Sequence, residues 1–119
     1  MLASTCVFDN FTSKYLKLTH RYNSYEELKK NAPEADCYIA GSDQIWNTLF
    51  RNGRDTAFYL DFGNQNTKRI SYAASFATPE IVPEYREFVK DKLKRIDHVS
   101  IREKISLPLL ESLGRKDGV

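Results

Sequence analysis

The sequence predicts an α/β fold, a mainly parallel sheet flanked by helices. Two observations carry this. Short continuous apolar runs alternate along the chain with stretches whose apolar residues recur at helical spacing. The resulting order is a helical lead-in, then strand, helix, strand, strand, helix, strand and helix, an alternation that points to a layer built on parallel strands. The chain divides into a helical lead-in, 1–35, and a partial α/β domain, 36–119.

In the lead-in, Phe8, Phe11, Tyr15, Leu16 and Leu18 suggest a short helix or two within residues 1–22. Ser24 and Glu27 have the spacing of a capping box, and a two-turn helix carrying Leu28 stops before Pro33. CYIA, 37–40, reads as a parallel strand buried on both faces and ending at Gly41. Cys37 within it behaves as a small buried hydrophobe. AFYLDF, 57–62, is a second strand candidate, bounded by the turn-like GNQNTK. In RISYAASFA, 69–77, alternation puts Ile70, Tyr72, Ala74 and Phe76 on one face and Ser71, Ala73, Ser75 and Ala77 on the other. A face made only of serine and alanine lets a packed helix or a ligand come close.

Pro83 suits the first turn of a helix running to about Arg95, with Tyr85, Phe88, Val89, Leu93 and Ile96 as its buried stripe. Lys92, Lys94 and Arg95 fall in its last turn, where cations complement the helix dipole, so the cluster KDKLKR requires no further partner. HVSI, 98–101, reads as another short strand. A final helix spans roughly residues 107–113, with Ser106 able to cap it and Gly114 ending it. Another strand is expected after Gly114. Three or four short strands make a thin sheet with exposed edges, so the chain reads as a piece of something larger.

Composition sets the outer limits. A length of 119 residues suits one domain with one modest core. A hydrophobic fraction of 41%, with 13% aromatics, marks a soluble globular chain rather than a disordered one. Lys and Arg outnumber Asp and Glu by 18 to 16, too narrow a margin to imply nucleic acid or an anionic membrane as partner. No apolar run approaches the ~20 residues of a transmembrane helix. MLASTCVFDN has neither the basic nor the apolar region of a signal peptide, so a cytoplasmic setting is expected. Cys6 and Cys37 lack CxxC spacing, and His20 and His98 share no ligand spacing, so no metal site is expected.

Ligands of parallel α/β sheets gather at the carboxyl ends of the strands. GSDQIWN, 41–47, lies at such an end. Gly41 permits a tight turn and close approach of the backbone. Ser42 or Asp43 can cap a following helix, whose uncommitted N–H groups would favour an anion, while Trp46 packs into the core. A plain helix cap with no ligand is an equal reading of the same residues. Arg102 directly follows the strand at 99–101, where a guanidinium could hold a carboxylate or phosphate through paired hydrogen bonds. A surface ion pair is the alternative, and position alone slightly favours it. DFG at 61–63 lacks the glycine-rich and HRD-type loops of a kinase, and Ser42 lacks the flanking glycines of a nucleophile elbow. His98 reads as a structural residue.

Taken in order, DCYIAGSDQIWN, AFYLDF, KRISYAASF and IDHVSIRE strongly resemble the N-terminal half of polysaccharide pyruvyl transferases, over about residues 24–114. GSDQIWN is the most specific element. The resemblance implies transfer of the pyruvyl group of phosphoenolpyruvate onto a pair of sugar hydroxyls of a surface or exopolysaccharide, forming a ketal and releasing phosphate. It implies a Rossmann-like N-terminal domain of a GT-B-like enzyme, with the site in the cleft between two facing domains. The acceptor glycan would be lipid- or nucleotide-linked, at the cytoplasmic face of the inner membrane. Phosphoenolpyruvate is then the donor substrate, and no cofactor is implied.

Residue by residue, the resemblance makes Arg102 the arginine that clamps the donor. Gly41, Ser42 and Asp43 shape the loop beside it, and Ser75 is among the small residues that leave room. Asp43 is also a candidate proton acceptor in catalysis. Full family members open with a strand and an Asn/Gly-containing loop and add a C-terminal domain supplying a further arginine and a histidine. By that measure the chain is a fragment, inactive without the missing C-terminal domain. Two readings from other classes stand beside this one. One is a non-catalytic binding or assembly module, and the other a GT-B-like glycosyltransferase domain using a nucleotide sugar, for which the sequence offers no specific ribose-binding acid.

Overall fold

The computed structural model of the chain describes residues 10–11 and 14–118. Cys6 and much of the lead-in expected to be helical lie outside the described residues. Helix α1, Tyr25–Lys30, forms where the capping box predicts it. Ser24 Oγ accepts from the Glu27 N–H at 3.1 Å, and the Glu27 carboxylate reaches back to the Asn23 N–H at 3.1 Å. Acids in its first turn and lysines in its last match the helix dipole.

Strands β1, Cys37–Ala40, and β2, Lys68–Ser71, pair in parallel, with Cys37 opposite Lys68 and Ala40 opposite Ser71. Residues 98–101 run alongside β2 and pair with it as the isolated bridges Ile70–His98 and Ala74–Ile101. Main-chain bonds carry the contact, from the Ser71 N–H to His98 at 2.9 Å and from the Ala74 N–H to Ser100 at 3.2 Å. Ser71 Oγ adds to them, donating to the Ser100 carbonyl at 3.0 Å and accepting from the Ser100 N–H at 2.9 Å. The expected third strand is therefore joined by backbone, with a serine hydroxyl reinforcing it.

Among the described residues, the sheet is covered on one face, not two. Tyr38 and Ala40 of β1, with Arg69 and Ser71 of β2, are buried. On the opposite face Ile39 is 62% exposed and Tyr72, just beyond β2, 70%. Cys37 is only half-buried, because it shares the open face with Ile39.

AFYLDF is not a strand. Thr56–Tyr59 form a 3-10 turn capped by the Asp55 carboxylate, which accepts from the Ala57 N–H at 2.9 Å, and Leu60 turns left-handed at φ 60°. The carbonyls that a strand would offer a neighbour converge on one cation instead. The buried Arg69 guanidinium donates to Leu60 and Thr67 at 2.7 Å each, to Asn64 at 3.0 Å, and to Phe62. RISYAASFA is also interrupted: Ala73 has φ 52°, which breaks the alternation. Past it Ala74, Ser75 and Phe76 are all buried in succession, and the serine–alanine face does not persist.

Pro83–Tyr85 form a 3-10 turn leading into α2, Arg86–Leu93, slightly shorter than expected. Val89, Leu93 and Ile96 are buried with Trp46, Tyr59, Phe76, Val99 and Ile101 in the main core. The basic cluster after all has a partner: Asp61 lies 2.6 Å from Lys92 and 3.3 Å from Arg95. Burial raises the Asp61 pKa, but the hydrogen bond from Lys92 and the charges of Lys92, Arg95 and Arg69 outweigh it and hold the carboxyl below its usual range. Helix α3, Leu107–Ser112, buries Leu109 and Leu110 and ends at Gly114 with φ 91°. Ser106 does not cap it. Its buried hydroxyl donates to the Thr78 carbonyl at 3.3 Å, and Pro108 in the first turn has no N–H to satisfy.

Candidate functional site

Because β1, β2 and residues 98–101 run parallel, their carboxyl ends share one edge. Gly41 to Asp43 leave β1 there, Tyr72 and Ala73 leave β2, and Arg102 and Glu103 follow residues 98–101. Main-chain bonds lock these exits together. The Tyr72 N–H donates to Ala40 at 2.8 Å, the Arg102 N–H to Ala74 at 3.0 Å, and the Ser75 N–H to Asp43 at 3.1 Å. A Cβ on Gly41 would overlap the Tyr72 carbonyl, so glycine is what allows the two exits to lie against each other.

The side chains converge on the same edge. Arg102 Nε donates to Glu103 Oε1 at 2.8 Å, and its Nη1 lies 3.5 Å from the Ser42 carbonyl. Both Glu103 oxygens receive the Ser75 hydroxyl, at 2.8 and 2.9 Å. Ser75 is fully buried and its Oγ also accepts from the Ala77 N–H at 2.9 Å, so it supports the edge from beneath. The Arg102 side chain remains 44% exposed. Glu103 is the residue that sequence reasoning passed over. An acid beside an arginine is unremarkable, and the partner that gives it meaning, Ser75, lies 28 positions earlier. Burial raises the Glu103 pKa, and the hydrogen bonds from Ser75 and Arg102 more than reverse this, leaving it lowered.

A family model for polysaccharide pyruvyl transferase matches residues 3–119. The chain belongs to the polysaccharide pyruvyl transferase family. No curated protein and no solved structure matches it. The family is one of transferases acting on polysaccharides.

In this family member GSDQIWN is a series of turns, and the first helical turn after it is the 3-10 turn Arg51–Arg54, with Phe50 at its N-cap position. Ser42 and Asp43 therefore cap no helix. Asp43 Oδ1 accepts from the neighbouring Gln44 N–H at 2.8 Å, while its carbonyl takes the Ile45 N–H at 2.7 Å as well as that of Ser75. Tying Asp43 to Ser75 directs the chain down to Trp46 before a helical turn can close. Trp46 is fully buried, as expected. It donates Nε1–H to the Phe58 carbonyl at 2.9 Å and stacks on Tyr59 at 5.5 Å.

Asp43, Gln44, Ile45, Phe50 and Asn52 line a shallow hollow of about 240 Å³ beside the loop. Two much larger hollows, about 560 and 570 Å³, lie by residues 32–36 and 61–65, at the amino ends of the strands and away from Arg102. The edge is thus one wall with an exposed cation on it. Among the described residues, no group of three or more His, Cys, Asp and Glu is placed to hold a metal ion. No helix among them is long and apolar enough to cross a membrane.

Proposed function

We propose that the chain supplies the donor-binding wall of a polysaccharide pyruvyl transferase that uses phosphoenolpyruvate. The observation that supports this reading is the convergence of Gly41, Ser42, Asp43 and Arg102 at one strand-end edge, with Arg102 exposed and held beside the Ser42 carbonyl. Phosphoenolpyruvate carries a phosphate and a carboxylate, and a guanidinium answers either through paired hydrogen bonds. An acid protonates the methylene carbon, a sugar hydroxyl adds to the enol carbon, and a second hydroxyl displaces phosphate to close the ketal. Asp43, exposed at the loop, would accept a proton from the attacking sugar hydroxyl. Ser75 contributes from below, through Glu103. Phosphoenolpyruvate is a substrate in this scheme, and no cofactor takes part.

The domain is read as the Rossmann-like half of a GT-B-like enzyme. In such an enzyme the cleft lies between this domain and a second one facing it. The acceptor would be a lipid- or nucleotide-linked glycan at the cytoplasmic face of the inner membrane. Titration calorimetry with phosphoenolpyruvate tests the donor site. Arg102→Ala is expected to weaken binding at least about tenfold, the worth of a charge-assisted hydrogen bond. Equal binding by the variant would remove Arg102 from the site, and displacement by a sugar nucleotide would favour the glycosyltransferase reading. A non-catalytic assembly module is the second reading, favoured by the open face at Ile39 and Tyr72. It predicts a stable oligomer by sedimentation and no phosphoenolpyruvate binding.

A further inference from the structure

We infer that Glu103 is a positioning residue for Arg102, and that Ser75 is the anchor that fixes Glu103. The inference rests on the donor-site reading above but makes its own demands. Glu103 occupies Nε of the guanidinium and the Ser42 carbonyl lies 3.5 Å from Nη1, so Nη2 and the second N–H of Nη1 are what remain to meet an anion. Its other tie, to Ser75, runs into the core, where Ser75 is fully buried and its own main-chain N–H and carbonyl are bonded to Asp43 and Trp46. A continuous set of hydrogen bonds therefore leads from the buried chain through Glu103 to an exposed cation, and ends at the Ser42 carbonyl.

A carboxylate beside an anion site would, by charge alone, be unhelpful. It repels phosphoenolpyruvate, and removing it should tighten binding. If Glu103 positions Arg102, removing it should weaken binding instead, because the guanidinium loses its fixed direction. The two ideas differ in sign.

The test uses phosphoenolpyruvate calorimetry on the whole 119-residue chain, with thermal unfolding of every variant alongside. Glu103→Ala is expected to weaken binding by about tenfold, the scale of one charge-assisted hydrogen bond. Glu103→Gln keeps an oxygen for the Arg102 Nε–H, and is expected to stay within about threefold of the parent. Ser75→Ala should fall between them, and the double variant should bind no worse than Glu103→Ala, since both changes break one path. Unchanged or tighter binding by Glu103→Ala overturns the inference. So does a Glu103→Gln as damaging as the alanine, which would make the carboxylate a charge or proton carrier.

A second readout is independent of ligand. The Nε–H resonance of Arg102, assigned by its disappearance in Arg102→Ala, should be protected from solvent exchange in the parent and lose that protection in Ser75→Ala and Glu103→Ala. A merely structural contribution would lower the melting temperature and leave both affinity and this resonance unmoved. Should Glu103→Ala not fold, Glu103→Gln, Ser75→Ala and the resonance decide the matter. A parent chain that binds no phosphoenolpyruvate counts against the donor-site reading, and the resonance then decides whether Glu103 holds Arg102.

Discussion

Replacing Arg69 with methionine keeps most of the side chain's volume and removes every donor. Five carbonyls, of Leu60, Phe62, Asn64, Gln65 and Thr67, then lose the guanidinium that gathers them. They do not lose equally. Residues 63–66 are exposed, so water can replace the bond at Asn64, whereas Leu60 is buried and its carbonyl is stranded. A stranded acceptor that had faced a charged donor costs about 2 kcal/mol, and the partly covered carbonyls together add about 1. The expected loss is about 3 kcal/mol, a large share of the stability of a domain this size. Arg69→Lys, with a point charge in place of a fork, should recover about 1 kcal/mol of it. Urea unfolding followed by far-ultraviolet circular dichroism measures both, as a shift of midpoint at constant slope. An Arg69→Met variant within 0.5 kcal/mol of the parent, as an approximate threshold, would refute the idea that one cation organises residues 60–67.

Two further perturbations probe other parts of the fold. Gly41→Ala forces its methyl group into the Tyr72 carbonyl, so the β1 and β2 exits must part; about 1–3 kcal/mol of stability should be lost, with phosphoenolpyruvate affinity falling alongside. A variant that melts and binds like the parent would count against the close approach of the two exits. Asp117 accepts from Arg115 and from the Val99 N–H, and its pKa is pushed down from 3.8 to about 2. The depressed value means that ionised Asp117 stabilises the fold above about pH 4 and that this contribution vanishes as pH falls through about 2. With the side chain 38% exposed, screening reduces the effect to about 1 kcal/mol. Urea midpoints of Asp117→Asn should therefore lie below the parent's at neutral pH and meet them near pH 2; a gap that persists in acid would locate the effect elsewhere.

What the sequence made legible follows how local each signal is. The capping box of α1, Pro83 opening the 3-10 turn that leads into α2 and Gly114 after α3 are signals between near neighbours, and each is where its spacing places it. The fate of AFYLDF depends on Arg69, seven to twelve positions beyond it, and no periodicity within the segment could report that. Likewise Ala73 looks like any alternating residue until its φ of 52° redirects the chain. At the site, Gly41, Ser42, Asp43, Ser75 and Arg102 were visible as strand-end or small residues. The helix expected after Asp43 was not there to find, because its carbonyl is already committed to Ser75. Glu103 was hidden for the same reason that Arg69 was: each acts through partners distant in the chain.

Arg102 is fixed twice, its main chain by the bond to Ala74 and its side chain by Glu103. A free arginine side chain carries about 2 kcal/mol of rotamer entropy. Here much of that freedom is surrendered when the protein folds rather than when a ligand arrives. On the proposed donor-site reading, an anion reaching this edge would meet a cation already held in place, and would keep more of its contact energy as affinity.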